Sequence, residues 1–154
     1  NVFATEPLNF YYLLAPPVLE VEFLDLKNRE GHMYGDILTD FRGVPQSIVI
    51  RIYSFKGDII IDEKITDLDS YRLAMEKYFQ EGRVVKDYTL DGKKALYSKR
   101  NIGTGNESIE YRAYSGYDEE VDVVLNNYLY SIYGNGSYYK DYFDQILATF
   151  RLVE

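Results

Sequence analysis

The residues with the most chemical content lie in the stretch Asn126-Asn127-Tyr128-Leu129-Tyr130-Ser131-Ile132-Tyr133. Tyrosine joins a large apolar ring to a hydroxyl, so it serves both half-buried sheet faces and binding surfaces. On a strand, Tyr128, Tyr130 and Ile132 share one face. Exposed, such a row flanked by asparagines stacks on sugars or on peptide side chains, which makes Tyr128 and Tyr130 the candidate binding residues. The competing reading places the same face beneath a C-terminal helix whose aromatic stripe needs a partner.

Other chemistries find little to work with. The chain has one histidine, His32, so a Ser-His-Asp triad has one place to form and multi-histidine metal sites are excluded. Its setting, Glu30-Gly31-His32-Met33, reads as a surface turn. The groups Asp118-Glu119-Glu120-Asp122 and Asp58, Asp62, Glu63 offer hard oxygen ligands of the kind Ca²⁺ takes, but neither has the spacing of an EF-hand loop. They read as solvated acidic turns. Carboxylates are plentiful enough for a paired-acid mechanism, yet no two are singled out. Gly103-x-Gly105 and Gly134-x-Gly136 lack the spacing of a phosphate-cradling loop. Asn106-Glu107-Ser108 and Asn135-Gly136-Ser137 match the glycosylation sequon, which matters in a eukaryotic secretory route. No catalytic residue, metal ligand or cofactor site is therefore assigned.

Composition narrows the classes further. A chain of 154 residues with 46% hydrophobic and 27% charged residues can bury one core, and is read as a single domain spanning 1–154. Its net charge of -8 opposes binding to a phosphate backbone, and no basic cluster is longer than the Lys93-Lys94 pair, so nucleic acid and anionic membrane surfaces are not expected partners. The longest apolar run, from Leu13 to Leu19, is short and broken by Pro16 and Pro17, whereas a membrane span needs about 20 apolar residues. Cysteine is absent, which removes disulfides and thiolate chemistry. Seventeen tyrosines and 8 phenylalanines stand against no tryptophan, an aromatic load that suits a strand-rich fold. The opening Asn1-Val2-Phe3 is read as a trimmed start, as a removed signal or lipoprotein leader would leave, with an arbitrary cut explaining it equally well.

The elements that must position these side chains follow from periodicity. Strands are expected over 18–24, more weakly over 33–41, and over 47–55, where Ile48, Ile50 and Ile52 share a face, with 59–61 a short sequel. Leu68, Tyr71, Met75, Tyr78 and Phe79 recur at helical spacing, with Thr66 or Asp67 as the cap and Gly82 as the stop. Residues 84–90 and 94–99 flank Asp91-Gly92, a hairpin signal. Further strands are expected over 109–115 and 121–133, with 102–106 as an exposed loop. A last helix carries Tyr138 or Tyr139, Tyr142, Phe143, Ile146, Leu147 and Phe150 after Ser137 as N-cap. The order implies an α+β fold, a mostly antiparallel sheet with helices packed on it.

Two segments carry a family likeness. Tyr88-Thr89-Leu90-Asp91-Gly92-Lys93-Lys94-Ala95-Leu96-Tyr97, with the closing run from Asp144 through Phe150 to Val153, resembles the hairpin and terminal helix of the PsbP/Mog1-like superfamily over roughly residues 45–153. The family's opening, with its aromatic Trp, is only faintly echoed by Phe10 to Pro16. The resemblance implies an α/β/α sandwich and a non-enzymatic role of the bacterial exported lipoprotein type. The expected function is a non-enzymatic extracytoplasmic binding or accessory domain, secreted or lipid-anchored at the cell surface, whose partner is another envelope protein or a carbohydrate. The alternatives are a small hydrolase-type enzyme using carboxylates and a purely structural envelope component.

Overall fold

A computed structural model describes residues 17–25, 47–55, 59–60, 63–78, 83–102, 116–136 and 138–153. The described elements are β1 (Val18–Asp25), β2 (Ser47–Ser54), β3 (Ile59–Ile60), β4 (Glu63–Lys64), α1 (Leu68–Tyr78), β5 (Arg83–Leu90), β6 (Lys93–Ile102), β7 (Gly116–Leu125), β8 (Tyr128–Asn135) and α2 (Lys140–Thr149). Six strands form one sheet in the order β1-β2-β8-β7-β6-β5, while β3 and β4 pair separately. The fold is α+β. The expected strand over 33–41, the strand over 109–115, the helix stop at Gly82 and His32 lie outside the described residues.

The sheet is mixed. β2, β8, β7, β6 and β5 run antiparallel to their neighbours, but β1 runs parallel to β2. Alternation of side chains says which face a residue takes and nothing about strand direction. Residues 26–46 separate β1 from β2, far more than the two-residue loop of a hairpin, so the spacing does not force them antiparallel.

Two turns define the hairpins. Asp91 and Gly92 both take positive φ, 51° and 73°, the backbone that a two-residue hairpin loop requires. Asp91 also holds the chain end, accepting the Leu152 N–H at 2.9 Å. The second turn corrects the sequence reading, which runs one strand through 121–133. The chain instead reverses at Asn126-Asn127, with Asn126 at φ 52°, and returns as β8. Asparagine tolerates the left-handed region because its side chain hydrogen-bonds locally, so the pair turns without glycine. The Asn127 carbonyl then accepts the Phe55 N–H at 2.9 Å, tying the turn to the end of β2.

Each helix covers its own sheet face. Asp67 caps α1, its Oδ1 accepting the Ser70 N–H at 2.8 Å while Ser70 Oγ accepts the Asp67 N–H at 3.1 Å, a reciprocal capping box. That hydrogen bond from Ser70 holds the Asp67 carboxyl below its ordinary pKa. Leu68, Tyr71, Ala74 and Met75 of α1 pack with Phe55 and Ile65 against Tyr53, Leu96 and Leu129 of the sheet. On the opposite face Phe143 and Leu147 of α2 pack against Ile48, Ala95, Val121, Val123 and Ile132. The cap of α2 is Tyr139, without a side-chain cap hydrogen bond, where the spacing had suggested Ser137, a residue outside the described set. Asn135 Oδ1 accepts the Tyr138 N–H at 3.3 Å just before the helix, so the polar end of β8 supplies the local anchor.

Candidate functional site

The register sorts every described sheet residue onto one of two faces. Glu20, Glu22, Arg51, Tyr53, Leu129, Ser131, Tyr133, Asp118, Glu120, Asp122, Leu96 and Ser98 point to the α1 face. Leu19, Val21, Phe23, Ile50, Ile52, Tyr128, Tyr130 and Ile132 point to the α2 face. Each face has a part that its helix packs against and a part of different character.

On the α1 face that second part is polar and buried. Arg51, Ser98, Asp118, Glu120, Asp122, Ser131 and Asn135 all lie within the protein interior. The reading of 118–122 as solvated acidic turns is thus corrected: these carboxylates belong to the middle of the sheet, on a strand flanked by two others. The signal was present in the alternation with Val121 and Val123, but a charged run of that density reads as solvent-facing unless the cations brought beside it are known. Arg51 Nε donates to Glu22 Oε2 at 3.1 Å across the β1–β2 pair. Among the described residues no group of three or more His, Asp or Glu side chains is placed to hold a metal ion. Asp58 and Asp62 of the other acidic group lie outside the described residues.

Glu119 points the other way and has a defined structural task. Its Oε1 accepts the Tyr97 O–H at 2.6 Å and the Lys140 ammonium at 2.8 Å, so one buried carboxylate ties β6, β7 and the first turn of α2 together. Lys140 also reaches Asp144 at 3.1 Å. Burial and the hydrogen bond to Glu119 push the Tyr97 phenol well above its ordinary value of 10.0. Burial alone would lower Lys140, but its bonds to Glu119 and Asp144 outweigh that and raise it. Both groups stay protonated in the fold after an unfolded phenol has begun to lose its proton. Their contribution is therefore complete below pH 10.0 and declines as the pH rises beyond it. Urea midpoints measured from about pH 8 to about pH 11 should fall more steeply for the parent chain than for Tyr97→Phe. Equal slopes would show that the phenol is not held by Glu119.

The glycines Gly134 and Gly136, which lack nucleotide-loop spacing, mark close approaches. A Cβ on Gly134 would stand 2.7 Å from Phe143 Cδ1, and one on Gly136 would run into the Tyr117 ring. Asn135 between them is fully buried, so that sequon offers no acceptor in the folded protein. Gly103, Gly105 and the Asn106 sequon lie outside the described residues.

The α2 face holds the candidate binding residues. Tyr128 and Tyr130 do share it, with ring centroids 6.5 Å apart and planes tilted by 50°. Their surroundings differ: Tyr130 is half-buried against the cluster that α2 covers, whereas Tyr128 is 45% exposed. The face thus divides between the two uses weighed for it, its inner part core and its outer part open. Beside it, on strand β1, stands a row of exposed apolar side chains that the sequence reading does not single out. Leu19, Val21 and Phe23 are 54%, 53% and 76% exposed. Their alternation with Glu20 and Glu22 was legible, but alternation alone reads as apolar side inward, and here α2 does not reach over it. Between β1 and α2 runs a groove of about 410 Å³ lined by Pro17, Leu19, Ile48, Tyr142, Ile146 and Thr149, among others.

Comparison with family models, with curated proteins and with solved structures returns no match to this chain. Among the described residues no helix is long and apolar enough to cross a membrane.

Proposed function

We propose that this chain is a non-enzymatic extracytoplasmic accessory domain, of the PsbP/Mog1-like exported type, that binds another protein along the α2 face at β1. The observation that carries the reading is the row Leu19, Val21 and Phe23, three large apolar side chains over half exposed on one side of an edge strand. An exposed apolar edge invites aggregation and is retained where something covers it. The adjoining groove and the open ring of Tyr128 widen the same apolar surface. Aliphatic side chains predominate in it, which favours a protein over a carbohydrate, since sugars stack on aromatic rings rimmed by hydrogen-bonding groups. Helices on opposite faces of one sheet and the closing α2 support the sandwich architecture of the PsbP/Mog1-like likeness.

A peptide display library selected on the parent chain tests this. Enriched sequences should lose roughly tenfold in affinity, about 1.4 kcal/mol, against the double substitution Val21→Lys, Phe23→Asp. Both side chains are solvent-facing, so the variant should keep the parent's unfolding midpoint. Enrichment no greater on the parent than on this variant would refute the reading.

A further inference from the structure

We propose that the segment received at β1 is an extended strand of a partner protein that alternates apolar with basic residues, added to the outer edge of β1. This rests on the docking reading above and names the chemistry of what docks.

Among the described residues β1 pairs with β2 alone, so its outer backbone edge, like that of β5 at the other end, is a place where the sheet can grow. Strand addition there supplies main-chain hydrogen bonds, and the pleat divides the incoming side chains between the two faces. On the α2 face they meet Leu19, Val21 and Phe23. On the α1 face they meet Glu20 and Glu22. Glu20 is half-buried and pairs with no cation among the described residues, while Glu22 pairs with Arg51. Directly opposed residues on neighbouring strands bring their Cβ atoms to about 5 Å, within which opposite charges stabilise and like charges repel. A lysine or arginine opposite Glu20 is therefore favoured and a glutamate is opposed. The chain's net charge of -8 draws a basic segment from a distance in the same sense.

The same geometry disfavours a second copy of this chain. Antiparallel pairing of β1 with itself buries the apolar row on its own image when centred on Val21, setting Leu19 opposite Phe23. That register puts Glu20 opposite Glu22 of the second copy, carboxylate against carboxylate, twice over. A basic partner removes the conflict, and self-association does not.

The test uses the full chain and three labelled synthetic peptides of about nine residues, a common strand length. One alternates Val and Phe with Lys, one carries Glu at each Lys position, and one carries Ser there. By fluorescence anisotropy in low salt the Lys peptide should bind roughly tenfold tighter than the Glu peptide, and the margin should shrink as salt is raised. Glu20→Lys should reverse the order of the two charged peptides, and N-methylation of alternate backbone amides should abolish binding. Equal binding of all three peptides, lost on Val21→Lys, Phe23→Asp, would overturn the basic partner while leaving the docking surface in place. Binding by none of the three, or a concentration-dependent dimer in sedimentation that Val21→Lys dissolves, would overturn the proposal as well, the second result in favour of a second copy.

Discussion

Phe143→Ala should lower stability by about 3–5 kcal/mol, the usual cost of emptying a well-packed aromatic site. Phe143 is fully buried and is the main side chain by which α2 grips the sheet, with Leu147 one turn further on. Its ring sits over Gly134, where any side chain would intrude to 2.7 Å of Cδ1. Gly134→Ala should itself cost about 1–3 kcal/mol by overpacking, because a ring closed in on every side has no room to give way. The two costs should not add. Once Phe143 is alanine, the methyl group at position 134 has space, and most of the penalty for Gly134→Ala should disappear. Urea denaturation of the parent, both single variants and the double variant measures the coupling. Additive losses would mean that the ring and the glycine are not in contact.

Arg51→Met should cost roughly 3 kcal/mol, toward the lower end for breaking a buried pair because Glu22 keeps some contact with water. Methionine fills much of the same volume, so the loss reports charge rather than a cavity. Arg51 lies on the sheet face that also carries Asp118, Glu120 and Asp122, all buried. Removing its guanidinium leaves that face with one cation fewer against an unchanged number of carboxylates. Adding Glu22→Gln to Arg51→Met should restore part of the lost stability, since a neutral amide needs no counter-charge. A loss under about 1 kcal/mol for Arg51→Met, with no rescue by the second substitution, would show that the polar array does not depend on this cation.

These two sites sit on opposite faces of the same sheet, and they differ in how far they could be read from the chain. The stripe of α2 was plain: Phe143, Ile146, Leu147 and Phe150 recur at helical spacing, and an amphipathic helix has one way to bury such a stripe. The Asp91-Gly92 hairpin was equally plain, because the required positive φ angles select those residue types. Asn126-Asn127 was missed for the complementary reason. With no glycine in the turn, β-forming residues on both sides read as one continuous strand.

The acidic run 118–122 misled in a different manner. Charge density in a sequence reads as solvation, yet the cost of burying a carboxylate depends on what stands next to it, and the partners come from elsewhere in the chain. Lys140 approaches Glu119 from α2, and Tyr97 approaches it from the neighbouring strand β6.

By itself the sequence determined the fold class, most strand and helix positions, and the pairing of Tyr128 and Tyr130 on one face, because side-chain period and turn chemistry are local properties. Strand order, the parallel direction of β1, the burial of Asp118 to Asp122 and the exposure of Leu19, Val21 and Phe23 were decided by the tertiary structure. Those depend on which side of an amphipathic element meets a covering layer and where that layer ends. Among the described residues α2 borders this edge only along the groove at Leu19, and the apolar row that the alternation would turn inward stays exposed.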